Sequence, residues 1–245
     1  MNRVGAFLIH LGISLVIFAG LAYLLVYVWY PDFFFTSDGG WEGMRIIIGV
    51  DLVLGPALTL LVFRKGKRGL KLDLTMIGLF QAACLVAGTF VVYTERPLSM
   101  IYVDGQFFSM SSHAYADYGV DVPDMSSFPG QLPKWLSIEL PEDLGEEVAL
   151  RKQALQTQRP LRTLVDRYMP FSPDQLDLEN DAFSIDELQD RDQETKQIPI
   201  WLAENGGALE DYAFFPFGTR YEYIFIGVDR RDGQVKGLLK TPAPL

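Results

Sequence analysis

Three long apolar runs fill the first 94 residues, and the pattern then breaks into short alternating segments. Residues 4–30 are apolar apart from His10, Ser14 and the aromatic hydroxyls. Residues 44–63 form a second run, interrupted by Arg45 and Asp51, and residues 72–94 a third. Each reaches the roughly 20 residues that cross a bilayer as a helix. The first is too long for a signal-peptide core, and no small-residue cleavage site follows it. It reads as a retained helix closed by an aromatic belt of Tyr27, Trp29 and Tyr30. Residues 31–43, with Pro, Gly and acids, read as a loop.

From residue 95 the periodicity changes. Pro97 ends the third helix, since proline restricts the residue before it. MIYVDGQFFSM, residues 100–110, predicts a hairpin turning at Asp104-Gly105. Residues 111–143 read as loop with a short strand over 135–138. Leu144, Val148, Leu150 and Leu155 recur near helical spacing, and beyond Pro160 a second short face carries Leu161, Leu164, Val165 and Tyr168. A helix over 198–204 is stopped by Gly206-Gly207. Runs at 212–218, 221–229 and 234–241 read as strands, the last two joined at Asp232-Gly233. The expected fold class is a membrane protein: three transmembrane α-helices (1–94), then an α+β domain (95–245) with an antiparallel sheet of about five strands and short helices.

Charge divides the chain at the same place. Residues 1–94 carry seven basic and five acidic side chains, a balance of +2. The remaining 151 residues carry 14 and 26, a balance of −12. An acidic domain of this kind argues against nucleic-acid binding, which needs basic surface. Five basic residues, Arg64, Lys65, Lys67, Arg68 and Lys71, sit between the second and third helices. The loop at 31–43 has Asp32, Asp38 and Glu42 and no Lys or Arg. The positive-inside rule then places the N-terminus and the basic loop in the cytoplasm, and residues 95–245 outside it. In a Gram-negative cell that compartment is the periplasm.

Little raw material for catalysis is present. Cys84 is the only cysteine and His10 and His113 the only histidines, so an intramolecular disulfide, a Cys-based zinc site and a CxxC pair are excluded. No dinucleotide, Walker, nucleophile-elbow or zincin motif occurs. Nine acidic side chains between 172 and 194 face only Arg191, but they lack the glycine of a calcium loop and read as a solvated face. Asp104, Asp229 and Asp232 read as turn residues. No enzyme activity, metal or cofactor is expected.

The intramembrane polar residues are the candidate sites. Asp51, about 10 Å from the outer end of its helix, needs a partner, because a lone carboxylate there costs roughly 2.5–3.5 kcal/mol. Tyr23 and Tyr27 stand at similar depth as candidate donors. The alternatives are a structural clamp, a contact to another protein's helix and a proton path. His10 and Gln81 are placed to pair across the first and third helices. Gly55-Pro56 predicts a kink. Cys84 and Gly88, four apart, offer a small-residue packing stripe.

These residues also carry a resemblance. His10-Leu11 with Ser14, Trp29-Tyr30-Pro31, Gly49-Val50-Asp51-Leu52-Val53-Leu54-Gly55-Pro56 with Leu58-Thr59-Leu60, then Lys65, Lys67, Asp73-Leu74, Gln81, Arg96-Pro97 and Gln158-Arg159-Pro160-Leu161 resemble the type IV pilin accessory proteins of the TfpX/TfpZ family. The resemblance implies a bacterial inner-membrane protein that assists type IV pilus assembly, with the major pilin as partner beside the lipid bilayer. A membrane-anchored sensor of a periplasmic ligand is the alternative. Its eight-residue basic loop is too short for a cytoplasmic output domain.

Overall fold

The computed structural model describes residues 2–242 and divides into two compact units, Met1–Arg96 and Pro97–Leu245. In the first unit α1 (Arg3–Trp29), α3 (Gly40–Val62) and α4 (Leu70–Glu95) are long and apolar enough to cross a membrane. A single turn, α2 (Phe34–Ser37), lies between α1 and α3. Asn2 caps α1 by accepting the Gly5 N–H at 2.7 Å. Asp73 in the first turn of α4 meets Lys67 at 2.6 Å, an acid where the helix dipole favours one.

The second span starts four residues earlier than its apolar run suggests. Gly39 takes a left-handed φ of 88° and becomes the residue before the helix, so α3 begins inside the expected loop. The next glycine of this segment to matter is Gly43: a Cβ there would lie 2.6 Å from Val92 Cγ2, so its bareness lets α3 close on α4. Tyr30 is buried and donates to the Val92 carbonyl at 2.7 Å, tying the end of α1 to α4.

The second unit is a seven-stranded sheet in the order β4-β3-β1-β2-β5-β6-β7. Its strands are β1 (Pro97–Val103), β2 (Gln106–Ser111), β3 (Lys134–Ile138), β4 (Tyr168–Pro170), β5 (Tyr212–Gly218), β6 (Tyr223–Asp229) and β7 (Val235–Leu239). The β1–β2 hairpin turns where expected, with left-handed φ at Asp104 (52°) and Gly105 (69°), as a two-residue turn requires. The sheet is mixed rather than antiparallel throughout. β1 pairs with β3, and β2 with β5, in parallel. Both parallel partners follow long connections, which let the chain return in the same direction.

Helices α5 (Ser112–Asp117) and α6 (Leu144–Thr157) belong with the β1–β3 part of the sheet, around Ile101, Met110, Tyr115 and Leu136. Helices α7 (Ile185–Asp192) and α8 (Gln197–Asn205) cover β5–β7. Trp201 on α8 meets the Tyr212 ring edge-on at 4.7 Å.

Three local expectations change. The stretch after Pro160 forms two 3-10 turns (Leu161–Thr163, Val165–Arg167) and then β4, not a helix. On α6, Leu144, Val148 and Leu155 face solvent, and Leu150 and Ala154 pack inward instead. The acidic stretch is not wholly a solvated face. Asp192 is buried and accepts from the N–H groups of Gln197 (2.7 Å) and Ile198 (2.9 Å) and the hydroxyls of Thr195 (2.7 Å) and Thr241 (2.6 Å). Burial alone would raise its pKa. The hydroxyl of Thr241, the N–H of Ile198, the hydroxyl of Thr195 and the N–H of Gln197 outweigh it and hold the carboxyl below its usual range.

Candidate functional site: an intramembrane polar cluster

Pro56 sets the cluster up. Proline has no N–H to donate and crowds the preceding turn. Helix α3 responds by widening to a π-helix over Ile48–Leu54. The Gly55 N–H goes to Val50 O, five residues back. The Asp51 carbonyl thereby loses its two helical donors: Gly55 N–H is taken and Pro56 has none. Gln81 of α4 supplies the replacement, its Nε2 donating to Asp51 O at 3.1 Å. Bare Gly55 makes room, because a Cβ there would collide with the Gln81 amide.

The same amide holds the side chains together. Gln81 Nε2 donates to Asp51 Oδ1, and Ser14 Oγ donates to that oxygen at 3.4 Å. Since Nε2 donates, Oε1 must accept, so His10 Nε2, 2.8 Å away, carries a proton. His10 Nδ1 stands 2.6 Å from Thr59 Oγ1. In the neutral ring Nδ1 accepts from that hydroxyl. Five side chains from all three spans thus form one network: His10 and Ser14 on α1, Asp51 and Thr59 on α3, and Gln81 on α4.

Asp51 is only 2% exposed, and its Oδ2 has no hydrogen-bond partner. It falls halfway along Gly40–Val62, about 16 Å from either end at 1.5 Å per residue, and not near one end. The earlier start of α3 accounts for the difference. Tyr23 and Tyr27 are not its partners. Both point away from the bundle, 61% and 69% exposed, with their rings 5.4 Å apart. Ser14 takes the role expected of them. It shares a helix face with His10, four residues earlier, and that spacing was the available signal. Thr59 follows Asp51 and Gly55 at steps of four residues on α3, and that spacing was the available signal for it.

The other predicted positions lie outside the network. Arg64, Lys65, Lys67, Arg68 and Lys71 are exposed, with Gly66 and Gly69 in left-handed φ at the turn. Cys84 is a free, half-buried thiol. A Cβ on Gly88 would meet no atom within 4 Å, so among the described residues no neighbouring helix packs closely at Gly88.

In the second unit the turn carboxylates serve structure. Asp229 is buried against Arg231 (2.7 Å) and Lys236 (3.5 Å), and hydrogen bonds from Arg231 hold it well below the usual carboxylate range. Asp232 accepts the Gln234 N–H at 2.9 Å. Among the described residues no three His, Cys, Asp or Glu side chains gather as a metal site.

A polar network across three spans is suited to fixing helix register, and similarity to known proteins gives it a context. Over 97 residues, 38% of its length, the chain is 32% identical to the fimbrial assembly protein of serogroups C1 and C2 from Dichelobacter nodosus, covering 73% of that protein. The chain belongs to the fimbrial assembly protein family. It is also 32% identical to the serogroup I protein and 31% identical to the serogroup E1 protein of the same organism, over 97 residues each. Those alignments span little more than a third of these two relatives, 37% of each. No family profile and no solved structure matches the chain.

Proposed function

We propose that this protein is a non-enzymatic accessory factor of type IV pilus assembly, of the TfpX/TfpZ kind, held in the bacterial inner membrane and acting on the major pilin. Kinship with fimbrial assembly proteins carries the reading. The three-span anchor supports it: the network of Asp51, Gln81, His10, Ser14 and Thr59 holds three helices in one register, which a second membrane protein can then recognise. The charge of the basic loop favours an arrangement with the N-terminus in the cytoplasm and the sheet domain in the periplasm.

Deleting the gene in the source bacterium tests this. Surface pili and twitching should fall sharply while pilin is still made, and the intact gene should restore both. Unchanged pilus numbers and motility would refute the proposal.

A further inference from the structure

One end of the three-helix bundle gathers positive charge. Helix α3 ends at Val62 and α4 starts at Leu70, so only residues 63–69 link the two spans. Gly66 and Gly69 take left-handed φ of 79° and 81°. The N–H of Lys67 returns to Arg64 O at 3.0 Å and that of Leu70 to Lys67 O at 3.3 Å. Two tight turns in so short a link keep it against the helix ends. Lys67 is taken by Asp73 at 2.6 Å, and Asp73 is the only Asp or Glu in residues 52–94. Arg64, Lys65, Arg68 and Lys71 are exposed, and among the described residues none of them forms an ion pair. Arg3 joins them. His10 meets Thr59 at 2.6 Å, so the start of α1 lies beside the end of α3, and Arg3 is exposed there.

Depth decides what these cations meet. Gly40–Val62 has 23 residues, about 35 Å as a helix, against a hydrocarbon core of about 30 Å. The link therefore emerges at the level of the lipid headgroups. Lysine and arginine stems follow apolar surface while their charge stays at the polar boundary. Just inside it, Leu61 on α3 and Leu72 on α4 are 73% and 67% exposed. Cations at phosphate depth above exposed leucines match both parts of a phospholipid. An acidic protein would answer the charge alone.

We infer that this end of the bundle binds an anionic phospholipid, its phosphodiester held by Arg64, Lys65, Arg68, Lys71 and Arg3 and its acyl chains lying along Leu61 and Leu72. Guanidinium and ammonium groups donate charge-assisted hydrogen bonds to phosphate oxygens, and arginine can give two at once. A basic cluster beside a span is drawn to anionic headgroups. The site requires only that the three helices cross a membrane. It holds whichever membrane face the link occupies and whatever the protein does for pili.

Native mass spectrometry of the full-length protein in an uncharged detergent tests this, with phosphatidylglycerol and phosphatidylcholine of the same acyl chains supplied equally. Phosphatidylglycerol should be retained about tenfold over phosphatidylcholine, and it should raise the thermal midpoint. Arg64→Gln/Arg68→Gln should reduce that preference several-fold, and Lys65→Gln/Lys71→Gln likewise. Both pairs leave the Lys67–Asp73 bridge intact, so the midpoint without lipid should stay at the wild-type value. Asp73→Asn should raise retention, because it releases Lys67. Lys152→Gln/Lys240→Gln, at exposed positions of the second unit, should change nothing. Equal retention of the two lipids by the wild-type protein, an undiminished preference in both link variants, or an equal loss in the Lys152/Lys240 variant would overturn the inference. So would equal stabilisation by inorganic phosphate, which marks a free-phosphate site. Stabilisation by a polyglutamate peptide and not by phosphatidylglycerol would overturn it in favour of an acidic protein.

Discussion

Asp51→Asn keeps an oxygen where Gln81 and Ser14 donate, so it should cost little. Asp51→Leu removes the acceptor of the Ser14 hydroxyl and of one Gln81 N–H in hydrocarbon, while the bond to the Asp51 carbonyl remains, and should lower stability by about 1–2 kcal/mol. Gln81→Leu removes more, since the amide also serves the Asp51 carbonyl and His10. Equilibrium unfolding in mild detergent should rank them Asp51→Asn, Asp51→Leu, Gln81→Leu in rising cost. Gly55→Ala offers a sharper check. Its Cβ collides with Gln81, so it should be damaging alone and nearly harmless on a Gln81→Ala background. Additive effects in the double variant would mean that the two residues do not share the space assigned to them.

Elements show where sequence reasoning reached its limit. The three spans, the Asp104-Gly105 hairpin and the strand at Tyr212–Gly218 announce themselves through apolar length and turn chemistry, which are local. The mixed pairing of the sheet does not, because β1–β3 and β2–β5 join residues far apart in the chain. His10, Asp51 and Gln81 stood out as polar residues in apolar runs. Their partners Ser14 and Thr59 stood out less, since a hydroxyl is ordinary in a span, although each lies at a four-residue step on its helix, Ser14 from His10 and Thr59 from Gly55. The acidic stretch misled for a related reason: composition marks Asp192 as one carboxylate among nine, whereas two N–H groups and two threonines make it a structural acceptor. Its depressed pKa sets a direction. The stabilisation is present above about pH 4, the ordinary Asp value, and is lost as pH falls through the lower folded value. Asp229, held low by Arg231, adds to the same acid-side loss. Melts followed by tryptophan fluorescence should show the midpoint falling below pH 4, and Asp192→Ala should lower stability already at neutral pH, by about 1–2 kcal/mol. A midpoint independent of pH between 3 and 6 would contradict this.

In the whole molecule an anchor of three spans, held in register, precedes an acidic sheet domain, and the proposed role in pilus assembly draws on both. Orientation is testable first. A phosphatase fused after Leu245 should be active, and one inserted within residues 64–71 silent; the reverse pattern would invert the arrangement. The central claim, contact with the major pilin, is tested most directly by photo-crosslinking in living cells. Probes at Val16, Val86 and Phe90, which face outward from the bundle, should trap the major pilin in at least one position, and trap less of it when Gln81→Leu unlocks the helices. Pilin missing from every adduct, in cells that make both proteins at normal levels, would contradict the account.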